Sequence, residues 1–222
     1  MKILLVNNGF PSVYNPSYCS YIETIYTELK SDCGYDVGLL VIKPGRHTNL
    51  LFHLYTYIVF FIKQMCCSIK TYDVCYIHHP IFCLPLLIRL RLTNTNVVLH
   101  WHGNDLYSDT LLLSWLRSAV SVFFKRMYKH IVPSTYYSDL LKQKLSNRVQ
   151  ANNILISPSG GIDTIIFSPR KRLVTKSEYS IGFPSHLIKS KGVDYLIAIV
   201  KRQKEIEEIL AKPIRFHVID TG

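Results

Sequence analysis

The stretch Val97-Val98-Leu99-His100-Trp101-His102-Gly103-Asn104-Asp105 decides the fold. Three consecutive apolar residues run straight into a polar cluster that contains a glycine. An apolar run without alternation fits a strand buried on both faces. Such a strand needs helices on both sides, so the stretch predicts a parallel α/β sheet. In open sheets of that class, ligands bind beyond the carboxyl ends of the strands. The polar cluster stands at that end, which makes His102, Gly103 and Asp105 candidate contacts. His102 can exchange hydrogen bonds with a sugar or phosphate. Gly103 lets the backbone turn or approach a ligand closely, and Asp105 can orient the histidine or a hydroxyl. A capped structural turn is the plain alternative. His100 and His102 also read as two metal ligands, but no third is evident in the sequence, so no metal is expected.

The same alternation extends outward. Strands are predicted at Ile3–Val6, Asp36–Ile42, Val74–Ile77, Val97–His100, His130–Val132 and Ile154–Ile156. Helices are predicted between them at Ser20–Lys30, Asn49–Ile69, Ile81–Leu92, Leu111–Tyr128 and Thr135–Leu145. A polar, basic, proline-broken segment, Phe167-Ser168-Pro169-Arg170-Lys171-Arg172, then reads as a boundary. Beyond it come a strand at Tyr179–Phe183, a helix at Val193–Leu210 and a strand at Ile214–Ile219. The expected organisation is a Rossmann-like domain over residues 1–172, with helices on both faces of its sheet. Residues 173–222 follow as one βαβ unit of an incomplete second Rossmann-like domain.

Composition bounds the class. The 222 residues are 48% hydrophobic and 18% charged, enough to bury a core and unlike a disordered chain. Lys and Arg number 26 against 15 Asp and Glu, a net charge of +11 that points to an anionic partner. The six cysteines form no CxxC pair and read as free thiols of a reducing compartment. The amino terminus lacks the core of a signal peptide, and the longest apolar stretch, Leu50 to Ile62, falls short of a membrane span. A cytoplasmic protein, soluble or peripheral on the inner face of the plasma membrane, is expected.

Two further constellations carry polar groups. Ile156-Ser157-Pro158-Ser159-Gly160-Gly161-Ile162-Asp163 reads on its own as a flexible linker after a strand. Phe183-Pro184-Ser185-His186-Leu187-Ile188-Lys189-Ser190-Lys191-Gly192 leads into a helix. A helix N-terminus offers free amide groups to phosphate, and Lys191 adds a full charge there. A solvated basic loop is the bland alternative.

In their order and spacing the three constellations resemble family 4 glycosyltransferases with the GT-B fold. The matching residues are Val-Val-x-x-x-His-Gly-x-Asp, then Pro-Ser-Gly-Gly-Ile-Asp with Phe-x-Pro, then Ser-His-Leu-Ile-x-x-Lys-Gly-Val-Asp-Tyr-Leu. The resemblance implies two Rossmann-like domains, the first binding an acceptor and the second a nucleotide diphosphate sugar as donor substrate. It implies retaining transfer to a glycan or lipid-linked acceptor in cell-surface polysaccharide synthesis, with no cofactor and no metal. His102 would be the catalytic histidine beside the transferring sugar. Lys191 would hold the donor diphosphate, with Gly9 approaching it from the first loop. His186 stands where the family usually has an arginine, and histidine supplies no permanent fork of donors. Gly160, Gly161 and Asp163 match the turn before the interdomain linker.

The family's later Glu-x7-Glu motif has no counterpart before Gly222. The chain is therefore expected to be a fragment or a truncated product. A non-catalytic acceptor- or membrane-binding half, working with a separate donor-domain subunit, is the alternative. From Leu111 to His130 the bases Arg117, Lys125, Arg126 and Lys129 alternate with aromatics and no acid. That helix fits an anionic membrane surface, or equally a core-facing helix with a solvated basic side. No nucleic-acid-binding motif occurs.

Overall fold

The computed structural model describes residues 1–45, 49–107, 110–145, 148–158, 168, 177–185 and 187–218. Backbone contacts divide the chain into two units, Met1–Ile162 and Asp163–Gly222.

The first unit is a six-stranded sheet built from β1 (Lys2–Asn7), β2 (Asp36–Val41), β3 (Val74–His78), β4 (Asn96–His100), β5 (Lys129–Val132) and β6 (Ile154–Ile156). Every pairing is parallel, in the order β2-β1-β3-β4-β5-β6. The continuous apolar runs are explained by their surroundings. Ile3 and Leu5 join one core cluster with Phe10, Val37 and Ile22 of α1 (Ser20–Ser31). Leu4 and Val6 point the other way. They join a larger cluster with Phe60 of α2 (Leu50–Cys66) and Leu86, Leu87 and Leu90 of α3 (Leu84–Arg91). Each such fully buried aliphatic side chain contributes about 1.5–3 kcal/mol. Both faces are dry, so neither position in the period-two repeat can be polar.

After β4 come the short α4 (Asn104–Tyr107), α5 (Leu111–Ser121) and α6 (Thr135–Leu145). Helix α5 ends at Ser121, seven residues before the expected Tyr128. Carbonyls beyond it are taken by neighbours instead of by a further turn. Arg91 donates to the Phe124 oxygen and the Asn153 side-chain amide to the Arg126 oxygen. Helix α2 begins where expected because the Asn49 side chain accepts from the Phe52 amide at 2.8 Å. It ends at Cys66, after which Cys67 is extended.

The second unit is a βαβ arrangement: β7 (Tyr179–Phe183), α7 (Val193–Lys201), α8 (Gln203–Leu210) and β8 (Ile214–Val218). β7 and β8 pair in parallel. The expected single helix is broken at Arg202, whose backbone leaves the helical range and whose guanidinium pairs with Glu205. Among the described residues of this unit, only Leu196 and Ile214 are buried apolar side chains.

The histidine edge as a candidate active site

The strand order reverses direction between β1 and β3, since β2 lies outside β1 and β4 outside β3. A crevice at the carboxyl ends is expected at such a switch point. The residues ending these strands are Asn7, His78 and His100. Register places His78 directly against His100. His102 lies two positions beyond His100 and so returns to the same face.

The result is a stack of imidazoles. His102 lies 4.3 Å from His100 and 5.0 Å from His78, centroid to centroid and nearly parallel to both. His78 Nδ1 and His102 Nε2 share a hydrogen bond of 2.7 Å. Tyr76 Oη is 2.8 Å from His100 Nδ1. His79 closes the cluster from the side, 4.5 Å from His102, with its Nε2 3.2 Å from Tyr21 Oη. Its backbone is left-handed at φ 50°, a conformation that costs a non-glycine residue about 1–2 kcal/mol. The amide of His79 donates to the His100 carbonyl at 3.1 Å, which carries the β3–β4 pairing past the strand ends and holds that conformation.

The loop beneath His102 is equally determined. Trp101 is fully buried, with its indole N–H donating to His130 Nδ1 at 3.3 Å. Gly103 has φ 98°, and a β-carbon there would meet Tyr137 Oη at 2.9 Å, so only glycine fits. Asp105, 2% exposed, accepts from the His102 amide at 3.1 Å and approaches His79 Nδ1 at 3.6 Å. Arg117 donates through Nε to the Asp105 carbonyl at 2.9 Å. Asp105 therefore orients the backbone of His102 rather than its ring.

Burial governs the protonation of this edge. It drives the His102 imidazole down to about 3, with His79 and His100 adding to the effect. Burial likewise lowers His100 to about 4 and His78 well below the ordinary range. It pushes the Tyr76 hydroxyl up to about 12. At neutral pH these rings are neutral, so His102 can offer hydrogen bonds and a lone pair but no fixed charge.

Five buried side-chain polar atoms lack a hydrogen-bond partner among the described residues. Four are at this edge: Asn7 Oδ1, His78 Nε2, His100 Nε2 and Asp105 Oδ2. Buried polar atoms are rarely left unpaired, so such a cluster calls for a ligand or water.

The other sequence candidates fall elsewhere. Gly9 is buried, and the space a β-carbon would need is filled by Cys19 Sγ at 2.6 Å and Tyr18 at 2.7 Å. Lys191 is exposed in a turn that leads through Gly192, at φ 85°, into α7. His186, Gly160, Gly161 and Asp163 lie outside the described residues. Sequence reading missed His78 and His79. The available signal was the matched ending of two strands, Ile77-His78-His79 and Leu99-His100-Trp101-His102.

The basic helix is also placed. Arg117 is buried at 3% exposure, and Lys125 reaches the Thr93 carbonyl, so neither faces outward as a free cation. Leu111, Leu112 and Trp115 at the start of α5 are exposed. A larger apolar face lies on α2, where Leu50, Leu51, Leu54, Ile58 and Ile62 are exposed. Beside it, an open groove of about 750 Å³ runs between α2 and β2, with Lys43 and Lys63 at its walls. Among the described residues no helix is long and apolar enough to cross a membrane.

No protein-family model and no curated protein matches the chain. Solved structures do match. HepE from Anabaena, in complex with UDP, superposes with a TM-score of 0.59 at 15% identity, covering 100% of this chain and 70% of its own. The UDP-GlcNAc 2-epimerase of Methanocaldococcus jannaschii gives 0.52 at 13% identity, covering 97% of this chain and 65% of its own. At such identities the likeness shows the fold alone, which is Rossmann-like α/β of the GT-B type.

Proposed function

We propose that this chain forms the acceptor half and the beginning of the donor half of a family 4-type glycosyltransferase. Sugar would pass from a nucleotide diphosphate sugar to a glycan or lipid-linked acceptor, with retention at the transferred carbon. The observation that carries this reading is the cluster of four unpaired buried polar atoms at the switch-point edge, beside His102. A sugar brings hydroxyls that both donate and accept, which suits neutral imidazoles and carboxylate oxygens alike. The two solved structures that carry UDP or a UDP-sugar name support the donor class.

Roles follow from chemistry. His102, neutral and oriented by His78, hydrogen-bonds the transferring sugar. Lys191 and the free amides opening α7 meet the diphosphate. Their charge matters most as the nucleoside diphosphate leaves, when negative charge grows on it. Lys191→Ala should weaken UDP binding about 10- to 150-fold, the loss of one hydrogen bond to a charged group. Isothermal titration with UDP checks this, and equal affinity in the variant would remove Lys191 from the site.

The acceptor side is read from α2. An apolar helix face beside a groove with two lysines suits a lipid tail carrying a phosphate, and the net charge of +11 favours an anionic cytoplasmic leaflet. Co-sedimentation with anionic vesicles at low salt should occur, and Leu54→Glu with Ile58→Glu should abolish it. Wild-type protein left in the supernatant would sink the membrane reading.

A further inference from the structure

We propose that His78, His100 and His102 together form a binding site for a divalent transition-metal ion. One ring nitrogen from each lies within 4.8 Å of the others. His78 and His100 end neighbouring strands in fixed register, and His102 follows two residues on with its amide held by Asp105.

Two independent features point to a ligand. His100 Nε2 is buried with no hydrogen-bond partner among the described residues. The opposite nitrogen of His100 is held by Tyr76 Oη at 2.8 Å. When Nδ1–H donates to that phenol, Nε2 presents a bare lone pair to the cluster. Metal-bound histidines are commonly fixed in this way by a second hydrogen bond.

Bonds of about 2.0–2.1 Å to a tetrahedral ion place ligand nitrogens roughly 3.3 Å apart. The His78–His102 contact of 2.7 Å must open by a few tenths of an ångström, and the remaining separations must close. Both changes require the imidazoles to turn out of the near-parallel stack that they form here. An all-imidazole set without thiolate suits zinc, copper, nickel or ferrous ions and leaves a fourth position for water. Ligation would break the His102 Nε2 bond to His78 that orients the ring proposed above to hold the sugar, so the ion would compete with transfer. That consequence, unlike the binding itself, rests on the proposed function.

The test uses full-length protein without a polyhistidine tag and Zn²⁺ alone, with no sugar nucleotide. A failure of binding is thereby distinct from a failure of the transfer reading. Competition against a chromophoric chelator should give one ion per chain. X-ray absorption on the wild-type complex should show imidazole scattering without sulfur. Tyr76→Phe keeps the ring in place and should weaken binding about 10- to 100-fold, and His100→Gln should weaken it further, while His53→Gln on α2 leaves it unchanged. No binding by the wild type, a sulfur shell from Cys66 or Cys67, or full affinity in His100→Gln would each overturn the proposal.

Discussion

Between about pH 6.5 and 4, the unit Met1–Ile162 is expected to lose most of its stability when metal is chelated. The cause is its buried histidines. An unfolded histidine titrates near 6.5, whereas burial holds His100 and His130 at about 4 and His102 at about 3 in the folded state. These are depressed values, so the sign is fixed. Above 6.5 both states are neutral and stability is complete. As pH falls below 6.5 the unfolded chain takes up protons that the folded chain refuses, and the balance shifts toward unfolding. Each group contributes about 1.4 kcal/mol per pH unit, so three give roughly 4 kcal/mol per unit. Domains of this size hold about 5–15 kcal/mol in total, so two units below 6.5 remove a large share of it. Urea midpoints followed by circular dichroism across this range check the slope. His130→Gln keeps an acceptor for the Trp101 indole and should reduce the slope by about one group. A midpoint independent of pH over the window would show that the rings are solvated.

Much of the fold is legible because one physical constraint, burial on both faces, writes directly into residue order. Ile3 to Val6 and Val97 to Leu99 can be read as parallel strands without any knowledge of their neighbours. Helix ends were less legible. Tyr128 and Arg202 fail to continue helices because of distant partners and a local ion pair, neither of which periodicity encodes. The site was half legible. His102, Gly103 and Asp105 announce themselves by standing at a strand end, and Gly103 by being glycine. His78 stayed hidden because its role depends on β3 lying beside β4 in a register that sets it against His100. The surface reading failed at Arg117 for a similar reason. A basic residue in an amphipathic run gives no sign that a backbone carbonyl, here that of Asp105, will draw it into the interior. Exposed apolar side chains instead line α2, a run that in sequence shows only that it is too short to span a membrane.

His102 stands at the centre of this edge. Its backbone is held by Asp105, its ring is oriented by His78 and stacked on His100, and unpaired polar atoms surround it. If this edge transfers sugar, the ring contributes mainly as the transition state develops, when hydroxyls of the distorting sugar bind more tightly than in the ground state. Positioned groups of this kind are worth about 10²- to 10⁴-fold in rate. His102→Ala should therefore lower kcat by that factor while affinity for UDP, proposed to rest on Lys191, changes little.

The most direct measurement is release of nucleoside diphosphate from a panel of nucleotide sugars by the full-length gene product, wild type against His102→Ala, in the presence of acceptor lipid or glycan. The account predicts turnover by the wild type and a fall of about 10²-fold or more in the variant, with UDP affinity preserved. Undiminished transfer by His102→Ala, in a variant that folds as the wild type does, would contradict it.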